Sequence, residues 1–302
     1  MTDSPMSASP YEVLGVAPSA TAAELKAAYR RRLRQTHPDT GGSATEFQAV
    51  QSAWERLGSP DARASYDSGR SRTEAPRPTW APAAPRERAD SRPQARSSGH
   101  PGGWYRERYL DQMREWMGRG TPLSDPYDAA LVRSAPREIR HLLAAAIAEE
   151  NTARELAGLG IGFTIWHDVA TAPGKLDHVV LGPTGLWAVQ SEDWGAPVRI
   201  KRGELIGEGL DAGERPMHQV ASRARWLGRT GRVKFSAIVM VVPDGDAPES
   251  LSRLGTVKGM DALLVEHSRL PALLRSGIPG IGTGGTDLFE VRTRLQQSVS
   301  FV

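Results

Sequence analysis

The side chains with the most specific spacing lie between Thr21 and Asp39, in TAAELKAAYRRRLRQTHPD. Lys26, Arg30 and Arg34 recur every fourth residue, with Arg31 and Arg32 beside them, so a helix would carry them as one cationic stripe. The stripe runs into His37-Pro38-Asp39. Pro38 disfavours helical backbone at His37, so the helix is expected to end near Gln35 and present the tripeptide in an exposed turn. This is not bond-making chemistry. A cationic stripe steers encounter with an acidic partner and weakens with salt. The Asp39 carboxylate suits charge-assisted bonds from an arginine on such a partner. Taken singly these features are bland, because basic helix faces are commonly just solvated and Pro and Asp are ordinary turn residues. Other reactive constellations do not emerge. The seven histidines include no pair at ligand spacing within one helix. The serines have no nearby His-Asp partners that the sequence can place. GIGTGG, Gly280 to Gly285, lacks the Gly-Lys-Ser/Thr and the strand-to-helix context of a phosphate loop.

The stripe needs a helix and a partner helix to hold it. Thr21 and Glu24 have capping-box spacing, so the helix should start at Thr21. Leu25, Ala28, Tyr29 and Leu33 share its apolar face. Upstream, Ser9, Pro10 and Glu12 open a short helix that Gly15 ends. Downstream, Thr40-Gly41-Gly42 is a loop, and Ser43 and Glu46 open a third helix with Phe47, Val50, Trp54 and Leu57 on one face. Ser59-Pro60 opens a short last helix through Arg63, Tyr66 and Asp67. Carried by YEVLGV, ELKAAYR, HPD and RASYD, residues 1–69 resemble the J domain of DnaJ-type co-chaperones. The resemblance implies an all-α helical hairpin with flanking short helices. It also implies binding to a DnaK-type chaperone and stimulation of its ATPase. His37, Pro38 and Asp39 match the family's required tripeptide, and Lys26, Arg30 and Arg34 lie where its basic helix meets an acidic chaperone surface.

Composition bounds the rest. The 302 residues suffice for two small domains. The net charge of +3 permits an acidic protein or nucleic acid as partner and demands neither. The absence of cysteine excludes disulfides, thiolate zinc sites and the cysteine-rich zinc region of full-length DnaJ types. Met1 to Ser9 is small and polar, unlike a leader, and runs such as Leu142 to Ala148 are too short to span a bilayer. A cytoplasmic protein without membrane contact is expected, and the abundance of Ala, Arg and Gly suits a high-GC bacterial genome. Residues 70–103 carry six prolines between Pro76 and Pro101 among Ser, Arg and Ala, with Trp80 almost the sole apolar side chain, which predicts a disordered linker. Residues 104–125 open with WYRERYLDQMREWM, at helical spacing, and predict a connecting amphipathic helix that docks on the second domain.

Residues 126–302 predict an α/β three-layer core with a mixed sheet. A helix over 136–159 leads into strands at 162–169, 176–181 and 186–192, the last two joined by a tight turn at Gly182-Pro183-Thr184-Gly185. A hairpin over 197–207, a helix over 217–227 and a wholly buried strand over 235–242 follow. A short strand at 263–265 and helices at 270–276 and 287–298 complete it. Carried by EENTARELAGLG, WHDV, KLDHVVLGPTGLWAVQSEDWGAPV and FSAIVMVV, this stretch resembles the nuclease-related domain, NERD, of the PD-(D/E)xK nuclease-like fold. In such nucleases a carboxylate pair holds Mg²⁺ and a lysine orients water. The hairpin would set position 177 near 190, with 192 on the same face and Glu149 leaning over them. Here Asp177 is present, but Gln190 stands for the second carboxylate and Glu192 for the lysine. No cofactor is therefore expected, unless Mg²⁺ is gathered by Asp177, Glu192 and Glu149. Two readings stay open: a nuclease-like module that does not cut and binds a client protein or nucleic acid, or a Mg²⁺-dependent nuclease regulated through its J domain.

Overall fold

The computed structural model describes residues 4–37, 43–67, 80–82, 94–118, 122–280 and 287–302. Four helices open the chain: α1 (Pro10–Leu14), α2 (Ala22–Thr36), α3 (Ala44–Leu57) and α4 (Pro60–Asp67). Local chemistry fixes their ends. Both Ser9 and Thr21 form complete capping boxes, with Glu12 and Glu24 reaching back to the cap amides. Gly15 ends α1 in the left-handed region at φ 68°. His37 caps α2 in extended backbone, as expected of a residue before proline. Leu14, Leu25, Ala28, Val50, Ala53 and Leu57 form the core between α1, α2 and α3. Tyr29 stacks on Trp54 with ring centroids 4.5 Å apart. Arg63 locks α4 across this core: its Nε donates to Tyr11 Oη (3.0 Å), and Nη1 and Nη2 donate to the carbonyls of Ala20 (2.7 Å) and Pro18 (2.8 Å). Tyr11 in turn donates to Asp67 (2.8 Å). Arg63→Ala removes three bonds from a charged donor and is expected to destabilise the helical unit by about 2 kcal/mol. Urea unfolding of the full chain, followed by hydrogen exchange in α1, measures it.

The segment expected as a disordered linker, 70–103, is only partly described, and its described parts correct that expectation. Trp80 is buried, with the Arg133 guanidinium 5.7 Å from its ring centroid. Residues 96–98 form β1 (Arg96–Ser98). Nothing apolar in RSS announces a strand. Parallel pairing with the strand that starts at Thr164 makes it one. α5 (Gly103–Met117) follows, with Tyr109 and Met113 buried. α6 (Ala129–Ser134) is capped by Asp128, whose side chain accepts from the Ala130 and Leu131 amides. Contacts divide the chain into two compact units, one of Ser7–Ala81 with Leu123–Ala135, the other of Met1–Met6, Pro82–Pro122 and Pro136–Val302. Residues 126–135 therefore group with the N-terminal helices, not with the α/β unit in which the sequence reading put them.

The α/β unit continues through α7 (Arg137–Ala157), β2 (Thr164–Thr171), β3 (Gly174–Gly182) and β4 (Gly185–Ser191), then β5 (Arg199–Lys201) and β6 (Glu204–Ile206). It ends with α8 (Pro216–Thr230), β7 (Ala237–Val242), β8 (Leu251–Val257), β9 (Met260–Glu266), α9 (Leu270–Ser276) and α10 (Leu288–Ser298). Seven strands form one mixed sheet in the order β1-β2-β3-β4-β7-β9-β8, and β5 and β6 pair as a separate hairpin. β7, AIVMVV, is buried along its whole length, as a strand covered on both faces must be. Met217, Val220, Ala224 and Leu227 of α8 pack on one face of the sheet. Leu156 of α7 and Leu270, Leu273 and Leu274 of α9 pack on the other. The edge strand β8 escaped the sequence reading because a bulge between Arg253 and Gly255 breaks its alternation.

One irregularity matters for the site. Trp166 and Val169 of β2 face the same core, as do Leu176 and Val179 of β3. Residues three apart on a strand should face opposite ways. The alternation therefore slips in each strand, and in β2 it does so at Asp168, whose φ is 51°. The C-terminal tail clasps this kink: Val302 N donates to the Asp168 carbonyl (3.1 Å) and Ala170 N to the Ser300 carbonyl (2.8 Å).

Candidate functional site

Two groups of side chains carry chemistry, one in each unit. On α2, Lys26, Arg30 and Arg34 are exposed, while Leu25 and Ala28 point into the core. Arg32 does not belong to the open stripe, since its Nε donates to the Val13 carbonyl (3.2 Å). At the end of α2 the Thr36 hydroxyl donates to the Arg32 carbonyl (2.9 Å). The His37 ring meets Phe47 of α3 edge-on at 5.1 Å. That contact holds the imidazole at the mouth of the α2–α3 hairpin. Pro38 and Asp39 lie outside the described residues.

In the α/β unit the slip turns Asp168 and Asp177 toward α7, and three carboxylates from three elements converge. Lys175 Nζ donates to Glu149 Oε2 (2.6 Å), Asp168 Oδ1 (2.6 Å) and Asp177 Oδ1 (2.8 Å). All four side chains are buried. The other Asp177 oxygen accepts from the Ser191 amide (2.9 Å), and the Ser191 hydroxyl bonds Thr152 Oγ1 on α7 (2.9 Å). α5 roofs the cluster: the Tyr105 ring centroid is 4.3 Å and the Trp104 centroid 5.9 Å from Lys175 Nζ.

Electrostatics follow from this burial. Desolvation alone would push the Lys175 amine down, but Asp177 and Glu149 outweigh it and hold the amine well above the ordinary lysine value. Burial, and after it the repulsion of Asp177, holds the Glu149 carboxyl well above its usual range. Burial likewise raises Asp177. Burial also raises Tyr105, with Glu192 and Asp177 adding to the effect. Beside the cluster, His167 Nδ1 and His178 Nδ1 are 2.8 Å apart, an arrangement that requires one donor and one acceptor. Burial lowers His167 to about 4 and drives His178 well below its ordinary value.

The expected set of Glu149, Asp177, Gln190 and Glu192 is thus divided. The β3–β4 register pairs His178 with Val189, so position 190 falls opposite 177 as the hairpin required. Glu149 and Asp177 do meet. Gln190 turns to α8, where its Oε1 accepts from Arg223 Nη1 (3.2 Å). Glu192 pairs with His141 Nε2 on α7 (3.2 Å). Among the described residues no group of three or more His, Asp or Glu is disposed to hold a metal ion. The residues therefore do not fit the Mg²⁺ that the resemblance implies: the three converging oxygens are all engaged by an ammonium. Asp168, Lys175 and Tyr105 were missed in the sequence. Lys175 stands two before Asp177 on one strand, a spacing that could have found it.

A cavity of about 230 Å³ opens beyond the ends of β4 and β7, lined by Ile147, Asn151, Thr152, Glu192, Asp193 and His267 among others, with Ser4 and Pro5 in its wall. Three acids, Glu192, Asp193 and Asp244, line it.

Residues 9–67 match the family model for the DnaJ domain, and residues 144–242 match that for the nuclease-related domain, NERD. The chain is 50% identical over 60 residues to the chaperone protein DnaJ of Thermosynechococcus vestitus, covering 19% of this chain and 16% of that protein. It is 49% identical over 61 residues to the chaperone protein DnaJ 1 of Cutibacterium acnes, covering 20% and 16%. It is 46% identical over 57 residues to DnaJ protein homolog 2 of Allium porrum, covering 19% and 14%. The chain thus spans about one-sixth of the length of these relatives. No solved structure matches it. A helical J domain is followed by an α/β domain consistent with NERD. Among the described residues no helix is long and apolar enough to cross a membrane.

Proposed function

We propose that the chain is a J-domain co-chaperone that engages a DnaK-type chaperone through Lys26, Arg30, Arg34 and the His37-Pro38-Asp39 turn, and stimulates its ATPase. The α/β unit serves as the module that selects what the chaperone acts on. The observation that carries this reading is the exposed α2 stripe leading to a His37 braced on Phe47. Opposite charges across such an interface set encounter rate and register. In a steady-state ATPase assay with the host's DnaK-type chaperone, the full chain is expected to stimulate turnover. His37→Gln is expected to abolish the stimulation, and raised salt to weaken it, because the stripe's charges are solvent-exposed. Equal stimulation by His37→Gln would overturn the reading.

For the α/β unit we favour a client protein over nucleic acid. The acids of the cavity repel phosphates, and the carboxylate cluster lies beneath α5, where a phosphodiester has no access. The competing reading, a Mg²⁺-dependent nuclease, is tested by incubating the chain with plasmid and Mg²⁺ or Mn²⁺. Cleavage lost in Asp177→Ala would establish it in place of ours.

A further inference from the structure

The geometry points to a cation site filled from within: the Lys175 ammonium occupies the place where Glu149, Asp168 and Asp177 converge, and a divalent ion enters only when that ammonium is removed. An ammonium has three donors, and here each donor finds one carboxylate oxygen at 2.6–2.8 Å. Its capacity is therefore exhausted, yet Glu149 Oε1 and Asp168 Oδ2 remain buried without a partner. One ammonium faces three carboxyl groups, which leaves a surplus of oxygen acceptors. A hard divalent cation matches that surplus, since it takes six or more oxygens at about 2.0–2.6 Å.

Two features keep such an ion out of the native chain. The ammonium is covalently tethered two residues from Asp177, so its local concentration is fixed and dilution cannot remove it. The Trp104 and Tyr105 rings also lie over Nζ, which favours an organic cation and excludes the waters that Mg²⁺ keeps. The ammonium's hold on the three carboxyl groups does not depend on what the α/β unit binds.

The experiment titrates Mn²⁺ into the full chain and follows the electron paramagnetic resonance signal of free Mn²⁺, with thermal unfolding in parallel. The native chain is expected to show no saturable site that depends on Asp177. Lys175→Ala is expected to bind one Mn²⁺ per chain and to gain Tm with Mn²⁺ but not with Na⁺. Adding Asp177→Asn to Lys175→Ala is expected to lose both effects. A stoichiometric site in the native chain that Asp177→Asn abolishes would overturn the proposal. So would a folded Lys175→Ala that ignores Mn²⁺, or one that stays unfolded when Mn²⁺ is present.

Discussion

Lys175→Met is expected to destabilise the α/β unit by about 3–5 kcal/mol at neutral pH, the usual penalty for removing one partner of a buried ion pair. The methionine fills nearly the same volume, so packing is a minor part of the loss. What remains is three buried carboxyl groups without the ammonium's counter-charge or its donors, which must either keep their charge or take up protons on folding. Neutralising two of them as well, with Glu149→Gln and Asp177→Asn, is expected to recover a good part of the loss, because the buried charge is then gone from both sides. Urea unfolding read by hydrogen exchange of the β3 amides measures both variants. A loss below about 1 kcal/mol in Lys175→Met, the range of solvent-exposed pairs, would mean that the cluster is open to water.

Acid is expected to weaken the same unit through its paired imidazoles. His167 titrates near 4 in the fold against an ordinary 6.5, because burial disfavours its charged form. Below about pH 6.5 the unfolded chain binds a proton that the folded chain excludes, so this stability is complete at neutral pH and drains away as pH falls toward about 4. The loss attributable to His167 is about 3 kcal/mol across that window. His178 acts in the same direction, and a proton on both rings would set two N–H groups against each other across 2.8 Å. Glu149 and Asp177, raised by burial, work the opposite way. The measured quantity is therefore the stability of the native chain relative to His167→Asn at pH 7 and pH 4. A difference that does not change with pH would contradict a buried neutral pair.

The four N-terminal helices were legible almost residue by residue, whereas α6 and the burial of Trp80 were not. The determinants of those four helices are local: two capping boxes, a left-handed glycine at position 15, a proline after His37, and apolar side chains at helical spacing. Each acts within a few positions of sequence, where spacing and geometry are nearly equivalent. In the α/β unit the strands of the central hairpin, α8 and the buried β7 were legible for the same reason, since each carries its own period. β1 was not, because RSS has no pattern and becomes a strand only when β2 offers it hydrogen bonds.

By itself, the sequence determined which side chains were available and the register that sets position 177 opposite 190. The tertiary structure alone decided which way they point. Strict alternation sent Asp177 toward Gln190 and Glu192 and left the carboxylates without a cation. The alternation slips in both strands, at the positive-φ Asp168 in β2 and between Leu176 and Val179 in β3, and Asp177 meets Glu149 at the Lys175 ammonium. The physical reason is that a strand's facing is a parity, inverted wherever the backbone breaks its alternation, as the angle at Asp168 does in β2. The C-terminal tail that clasps that angle lies more than a hundred residues away in the chain.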